Sequence, residues 1–274
     1  VVAPSKSGAE QGSIEITADS TKPQVALFVD TFSRWFEPEI PRAARDLLEA
    51  SGADVIPLRS GPGERPLCCG RTYLSAGMVD EAIHEAERLV NAARKMTSGD
   101  IKIVGLEPSC LYTLQDEIPA LLDNTEAHRL AELSVTLEDY LDQAWEEGRT
   151  ISFNSQAYEG PDGKPLRILR HGHCHQKAFG GVPAVDRMLA RLPGVEVTAI
   201  ESGCCGMAGA FGYHAEHYET SMAIGELDVL PQVRAAEDDV RIIADGTSCR
   251  AQIEDGTGRN ATHAAILLAE GLET

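Results

Sequence analysis

The chain has 274 residues, of which 43% are hydrophobic, and its formal net charge is −19 at pH 7. This length and apolar content are enough for two domains of ordinary size with buried cores. The excess of 43 acidic over 24 basic residues excludes a typical nucleic-acid binder, because phosphate contacts need clustered basic side chains. No apolar run spans a bilayer and no secretory signal precedes the first strand, so we expect a cytoplasmic protein without direct membrane insertion, which reaches a membrane only through a partner.

Residues 1–23 are rich in Ser, Gly, Lys and Glu without a hydrophobic period, which is typical of a linker or a disordered tail. From Val25 onward, apolar runs typical of buried parallel strands alternate with amphipathic stripes typical of helices. Strands are expected near residues 25–29, 54–58, 101–106, 166–169, 195–200 and 240–245. Helices are expected near 38–51, 80–96, 137–144, 185–192, 215–236 and 264–268, with an interruption at Pro231 and an N-cap for the last helix at Asn260.

Two Cys-Cys-Gly turns, at residues 68–70 and 204–206, stand out from this pattern. Adjacent side chains of a strand point to opposite faces, so each cysteine pair can face one centre only where glycine lets the backbone bend sharply. A further cysteine follows each turn at a similar separation, Cys110 after the first and Cys249 after the second. Seven cysteines in a protein expected to be cytoplasmic indicate metal or redox ligands rather than a disulfide framework.

These correspondences predict a tandem repeat. The remaining cysteine, Cys174, has its counterpart position near Thr31, so the first repeat has lost one thiol. We expect an α/β fold of two pseudo-symmetric repeats, each a small, mainly parallel sheet flanked by helices. The first repeat is placed at residues 24–125, a connecting segment at 126–165 and the second repeat at 166–274. The cysteines follow the carboxyl ends of expected strands, where ligands collect in open α/β sheets.

Four motifs carry a resemblance to a known family: Asp30-Thr-Phe32, Cys68-Cys-Gly-Arg71, Gly172-His-Cys-His-Gln-Lys177 and Gly203-Cys-Cys-Gly-Met-Ala-Gly-Ala-Phe-Gly-Tyr213. On these residues the chain resembles the cysteine-rich CCG domain proteins, which include the cysteine-rich component of heterodisulfide reductase. It is most similar to the C-terminal iron-sulfur region of FAD-linked D-2-hydroxyacid dehydrogenases of the D-lactate or D-2-hydroxyglutarate type. The resemblance covers residues 25–271 and implies a part in carrying electrons away from a flavin that oxidises a 2-hydroxyacid.

The chain departs from this family in two respects. Relatives with a complete first repeat have a cysteine where this chain has Thr31. The sequence also contains no ferredoxin-type Cys-x-x-Cys-x-x-Cys run and no recognisable flavin-binding segment. The resemblance therefore implies FAD on a partner domain or subunit, and it leaves the electron acceptor undetermined. Because the chain begins without methionine, we expect it to be a fragment of a longer polypeptide.

Two sets of cysteines are the candidate ligands. Cys174, Cys204, Cys205 and Cys249 are interpreted as the ligands of a 4Fe-4S cluster, because thiolates stabilise iron and loops at strand ends bring distant positions together. Tetrahedral zinc is the alternative, followed by a dithiol that cycles with a disulfide and by plain buried thiols. Cys68, Cys69 and Cys110 are a candidate second site, which could hold a cluster with an open or non-cysteine fourth position, could hold zinc, or could be a vestige.

Several neighbours of the second set invite a role. His171, His173 and His175 would alternate onto one face if the strand continued, and support of the Cys174 thiolate by hydrogen bonds is the preferred interpretation for His173 and His175. Lys177 could compensate the negative charge of a thiolate cluster or simply lie on the surface. Tyr213 and His214 are interpreted as packing residues.

The favoured function is thus an oxidoreductase component: the iron-sulfur electron-transfer module of an FAD-dependent 2-hydroxyacid dehydrogenase. Its expected partner is the flavin-containing dehydrogenase domain or subunit. Two alternatives from other classes stay open at this point, a component of a thiol or disulfide reductase and a zinc-stabilised structural or interaction domain.

Overall fold

The computed structural model of the chain describes residues 22–96, 101–160 and 163–273. Within them, two separate four-stranded sheets form, and every pair of neighbouring strands runs parallel. Helices flank both sheets, which confirms the predicted fold class. The tail predicted at residues 1–23 lies outside the described residues except for its last two.

The first sheet contains β1 (Gln24–Phe28), β2 (Asp54–Pro57), β3 (Lys102–Gly105) and β4 (Ser134–Thr136), in the order β2-β1-β3-β4. Its helices are α1 (Thr31–Trp35), α2 (Glu39–Ala50), α3 (Arg71–Ser75), α4 (Val79–Met96), α5 (Pro108–Gln115), α6 (Glu117–Leu122), α7 (Thr125–Leu133) and α8 (Leu137–Glu146). Val25 of β1 lies opposite Val55 on one side and Lys102 on the other. Because the chain returns on both sides of β1, a crevice opens at the carboxyl ends of β1 and β3.

The second sheet repeats this arrangement with β5 (Leu166–His171), β6 (Val195–Ala199), β7 (Arg241–Ala244) and β8 (Ala261–Thr262), in the order β6-β5-β7-β8. Its helices are α9 (Cys174–Phe179), α10 (Val182–Ala190), α11 (Tyr218–Gly225), α12 (Val229–Ala235), α13 (Thr247–Thr257) and α14 (Ala264–Glu270). Here Ile168 of β5 lies opposite Val197 and Arg241. The two sheets therefore share one topology, as two related repeats require.

Two helix ends differ from the sequence prediction. The helix expected at residues 215–236 is divided into α11 and α12, but Pro231 lies in the first turn of α12 rather than at the break. Proline is tolerated there because the N–H groups of a first turn have no acceptor within the helix. The last helix is capped by His263, not Asn260, since His263 Nδ1 accepts a hydrogen bond from Ala265 N.

The segment predicted to connect the repeats contains both β4 and α8. β4 pairs with β3, so this segment contributes an edge strand to the first sheet. The next helix, α8, begins at Thr136, whose Oγ1 accepts from Asp139 N, and it buries the apolar face that the sequence predicts. The division of the chain at residues 125 and 166 stays a prediction.

One hydrophobic core joins the two halves. α2 packs on α14 and α8 packs on α10, so four helices lie between the two sheets. Alternate residues of the central strands face this core, among them Val25, Leu27, Leu166 and Ile168. The opposite faces are covered by α4, α6 and α7 on the first sheet and by α12 and α13 on the second. Among the described helices, none combines the length and the apolar character needed to cross a bilayer.

Candidate metal centres

Both Cys-Cys-Gly turns are closed by a glycine in the left-handed region. Gly70 has a φ of 82° and Gly206 a φ of 100°, values that other residues rarely adopt. Each glycine N–H points back to the first sulfur of its turn, at 3.5 Å for Cys68 Sγ and 3.3 Å for Cys204 Sγ. A Cβ at Gly206 would also lie only 2.1 Å from the carbonyl oxygen of Ser221. The turns therefore need glycine for both conformation and space.

In the second repeat the four predicted cysteines converge. Cys204 donates a hydrogen bond to Cys205, which donates to Cys249 in the first turn of α13. Cys174 begins α9, and its thiol lies close enough to Cys204 for their charges to interact. Cys205 and Cys249 are buried, whereas the other two are half-buried. Loops from three strand ends thus present four sulfur atoms to one region.

The first repeat has the same arrangement with one thiol fewer. Cys68 donates to Cys69, whose Sγ lies 3.0 Å from Cys110 Sγ in the first turn of α5. Thr31 begins α1, the counterpart of α9, and its hydroxyl is hydrogen-bonded to Cys68. A neutral hydroxyl therefore occupies the position of the fourth thiol, as the repeat correspondence predicts.

The sulfur atoms of the second set are packed so closely that they cannot all ionise without a cation. The hydrogen bond to Cys205, followed by burial, raises the pKa of Cys204. Burial, followed by the neighbouring Cys204, raises the pKa of Cys174. A metal ion deprotonates the thiols that it binds and supplies the missing positive charge. The four-thiol set therefore fits a thiolate-bound centre, either an iron-sulfur cluster or tetrahedral zinc.

Lys177 lies beside the second set. Its Nζ donates to the carbonyl oxygen of Gly203 at 3.2 Å, in the loop that leads into the cysteine pair. Burial lowers the pKa of Lys177, whereas Cys249, Cys174 and Cys204 act in the opposite direction. This position fits the predicted charge compensation, because the ammonium group lies within electrostatic reach of three of the four sulfurs.

The three histidines do not share a strand face, contrary to the alternation considered from the sequence. His171 ends β5, His173 is the N-cap of α9 and His175 lies in its first turn. His173 Nδ1 accepts from His175 N at 3.1 Å, and Gln176 Oε1 accepts from His173 N at 3.0 Å, which is a reciprocal capping arrangement. Burial lowers the pKa of both His173 and His175 to about 4, so both rings are neutral at pH 7. These two residues shape the loop that presents Cys174, and their support of its thiolate stays a prediction.

Two buried carboxylates beside the first set were missed by the sequence analysis. Asp30 caps α1, and Glu107 caps α5 while its Oε2 also accepts from Thr247 N at 2.8 Å. The hydrogen bond from Cys69 lowers the pKa of Cys110, but burial and these two carboxylates raise it to about 12. Both acids directly precede a helix start, a signal of capping that could have been noticed. Their closeness to one row of sulfurs depends on tertiary structure.

The two sets open into adjoining cavities between the repeats. The larger cavity, of about 540 Å³, is bordered by the first set and by residues of the second repeat that include Gly209, Tyr213, Thr247 and Ser248. The smaller cavity, of about 160 Å³, is bordered by the second set and by Arg71, Ser75 and Ser109 of the first repeat. Tyr213 is 60% exposed at the larger cavity and is not a packing residue. Each repeat therefore helps to enclose the cysteines of the other.

Comparison with known proteins agrees with this geometry. Residues 27–115 and 168–254 each match the family described as CCG, cysteine-rich domain. The chain belongs to this cysteine-rich family. The resemblance read from the motifs is thereby confirmed, and the two matched stretches contain all seven cysteines, three in the first and four in the second.

Several curated proteins resemble the CCG chain over most of its length. One of the subunits of anaerobic glycerol-3-phosphate dehydrogenase from Escherichia coli K12 is 29% identical over 92% of this chain and 60% of its own length. D-2-hydroxyglutarate dehydrogenase from Pantoea ananatis is 23% identical over 94% of this chain and 23% of its own length. Lactate utilization protein A from an Exiguobacterium species is 25% identical over 92% of this chain and 99% of its own length. The chain thus spans 60% of the first of these relatives.

Proposed function

We propose that this CCG protein is the iron-sulfur electron-transfer module of an FAD-dependent dehydrogenase whose substrate is a 2-hydroxyacid of the D-lactate, glycolate or D-2-hydroxyglutarate type. The observation that carries the proposal is the convergence of four thiols in the second repeat. The names of the relatives support a redox role, since two of them are dehydrogenases or dehydrogenase subunits. Glycerol-3-phosphate is the alternative substrate of the flavin partner, in view of the relative from Escherichia coli.

The residues of the second repeat divide the work of holding such a centre. Cys174, Cys204, Cys205 and Cys249 would hold a 4Fe-4S cluster, which supplies one-electron transfer when bound. The burial of Cys205 and Cys249 keeps water from the inner side of the centre. The N–H of Gly206 donates to Cys204 Sγ and favours its thiolate form, because a hydrogen bond to the charged form stabilises that form.

The flavin is proposed to lie on another domain or subunit. Electrons would pass from that flavin to this chain and on to an acceptor, and any contact with a membrane would be made through the partner. Cys68, Cys69 and Cys110 would bind a metal only with a fourth position that is open or filled by another side chain, because Thr31 offers a neutral hydroxyl. The flavin partner would approach the face where the cysteine sets open to the surface.

Metal analysis tests the cluster. After anaerobic purification, we expect iron and sulfide in the wild type, and Cys174→Ser and Cys249→Ser should each lose most of the brown visible absorbance and show a lower Tm, since ligation and folding are coupled. Ser248→Ala is the matched control, because it changes the neighbour of Cys249 and leaves all sulfurs in place. Zinc without sulfide would support the structural alternative, and thiols without metal would support a thiol-disulfide couple. Iron and sulfide retained in both cysteine variants would refute this ligand set.

A second experiment tests the need for a partner. The isolated 274-residue chain should not oxidise D-lactate or D-2-hydroxyglutarate, but its visible absorbance should bleach when the flavin-containing domain or subunit and its substrate are added. The control is the same mixture without substrate. Steady turnover by the isolated chain would contradict the proposal.

A further inference from the structure

His171 is a buried histidine that the capping of α9 does not use. It is the last residue of β5 and is 2% exposed. One of its ring nitrogens lies within 4.8 Å of the sulfurs of Cys205 and Cys249. Its Nε2 has no hydrogen-bond partner within the part of the chain that the structure describes. A buried polar nitrogen without a partner is costly, so its presence beside two sulfurs calls for a physical reason.

The other ring nitrogen indicates where the imidazole proton lies. His171 Nδ1 is 3.3 Å from Ser202 Oγ, and the same Oγ accepts a hydrogen bond from Lys177 Nζ at 3.2 Å. An ammonium group can only donate, so the serine oxygen accepts from Lys177 and its own hydroxyl proton is available to His171 Nδ1. Nδ1 is then the acceptor, and Nε2 carries the N–H.

The first repeat lacks this arrangement. The strand registers place Phe28 of β1 at the position that His171 has in β5. Phe28 belongs to the same apolar cluster as Cys69 and Cys110, so this strand position lies near the corresponding cysteines in both repeats. Arg34 follows Thr31 by as many residues as Lys177 follows Cys174, but its guanidinium donates to the carbonyl oxygen of Val29. Only the repeat with four thiols therefore has a donor directed at the sulfurs.

We propose that His171 donates a hydrogen bond from Nε2 to the sulfur atoms of the metal centre in the second repeat, with its ring orientation fixed by Ser202 and Lys177. The inference rests on the proposed iron-sulfur function. A hydrogen bond to sulfur stabilises the more negative, reduced form of a cluster and so raises its reduction potential. His171 is thus a positioning residue for charge at the sulfurs. The donor role does not depend on the charge of the ring, because Nε2 carries a proton in the imidazolium form as well.

Direct ligation by His171 is the competing role. A ligating Nε2 would need the proton on Nδ1, and the hydroxyl proton of Ser202 would then lose this nitrogen as its acceptor. The four thiols also complete the ligand set of a 4Fe-4S cluster without a histidine. The two roles differ in what happens when the ring is removed, because loss of a ligand releases iron whereas loss of a donor shifts the potential.

Replacement of His171 separates these roles. In His171→Leu we expect iron and sulfide to stay at the wild-type level and the reduction potential, measured by an anaerobic titration followed by electron paramagnetic resonance, to become more negative. A tenfold loss in preference for the reduced form would appear as a shift of about 59 mV for one electron. His171→Gln, whose amide N–H reaches a similar distance, should restore most of the potential, and Ser202→Ala should lower it in part. His128→Leu, on the exposed side of α7, is the matched control and should leave the potential unchanged.

Each other outcome overturns the inference. An unchanged potential in His171→Leu with the cluster intact would show that no hydrogen bond reaches the sulfurs. Loss of iron from both His171→Leu and His171→Gln would assign the residue as a ligand or as a part of the fold. Absence of iron and sulfide from the wild type would instead refute the proposed function itself, and the inference with it.

Discussion

Thr31 is the residue at which the two repeats differ most. It begins α1 and hydrogen-bonds to Cys68, whereas the equivalent first residue of α9 is Cys174. Its surroundings differ as well, because the carboxylates of Asp30 and Glu107 lie beside the first set. Negative charge near thiols disfavours further thiolates. The first set is therefore a weaker site for an anionic cluster than the second.

Restoring the missing thiol tests this asymmetry. Thr31→Cys should raise the iron content by up to one cluster per chain, because a thiolate is a better ligand for soft iron than a neutral hydroxyl. In the wild type, iron bound at the first set should be lost on dilution or mild chelation, whereas iron at the second set should persist. Iron analysis before and after incubation with a chelator measures both effects, and Thr31→Ser is the matched control. If Thr31→Cys gains no iron and the Cys68→Ser, Cys69→Ser double variant keeps all of it, the first set is purely structural.

At this scale the sequence predicts ligands better than it predicts their surroundings. The cysteines and Thr31 could be identified because their spacing repeats along the chain and because glycine marks the turns. Asp30, Glu107 and His171 could not, since each acts on sulfurs that only tertiary structure brings near. A lone carboxylate or histidine in a sequence has no period that would reveal such a contact.

Glu107 links the two helices that carry the later cysteines. Its Oε1 accepts from Ser109 N in α5 at 3.2 Å, and its Oε2 accepts from Thr247 N in α13 at 2.8 Å. The N-terminal N–H groups of a helix have no acceptor within the helix, so one buried carboxylate satisfies a donor in each repeat. The positions of Cys110 and Cys249 therefore depend on the same side chain.

Removing this double cap should weaken the fold and both sites. Glu107→Ala should lower the free energy of unfolding by about 1–3 kcal/mol, because two buried N–H groups lose their acceptor. Glu107→Gln should lose less, since the amide oxygen can still accept one of the two bonds. Urea denaturation and iron analysis of the same preparations measure the two effects. Asn124→Ala, which removes the cap of α7 away from the cysteines, should cost about 1 kcal/mol without loss of iron. Equal stability of Glu107→Ala and wild type would contradict the role of this cap.

Elements were predicted more reliably than their ends. The strands follow from their apolar runs and the helices from their stripes, because burial in parallel sheets and in amphipathic helices imposes these periods. The edge strand β4 was missed, since Ser134–Thr136 is too short to show a period and pairs only with β3. The interruption assigned to Pro231 and the cap assigned to Asn260 were wrong, because local residue types do not determine which turn of a helix a residue enters.

At the scale of the whole molecule, a buried acid lies where the two repeats meet. Glu138 of α8, Asp245 after β7 and His263 before α14 bring their polar atoms within 4.8 Å of one another. His263 Nδ1 accepts from Ala265 N and its Nε2 lies 3.1 Å from the carbonyl oxygen of Leu106, so the ring has no free lone pair for a metal. Asp245 accepts two hydrogen bonds, whereas Glu138 Oε1 has no partner among the described residues. This cluster is better explained by a shared proton than by an ion.

The proton on Glu138 should make the union of the repeats sensitive to pH. Burial, and after it the charges of Asp245 and Asp139, raises the pKa of Glu138 well above its usual value of 4.5. The folded protein therefore keeps a proton that the unfolded chain releases above about pH 5, and stability falls as pH rises toward the folded pKa. Relative to Glu138→Gln, the wild type should lose up to about 1.4 kcal/mol of unfolding free energy per pH unit over that range. Urea denaturation at several pH values between 5 and 8 measures the difference, with the exposed Glu126→Gln on α7 as a control that should follow the wild type. Curves for wild type and Glu138→Gln that stay parallel across this range would mean that Glu138 is ionised in the folded protein and that the two repeats meet over an unshared negative charge.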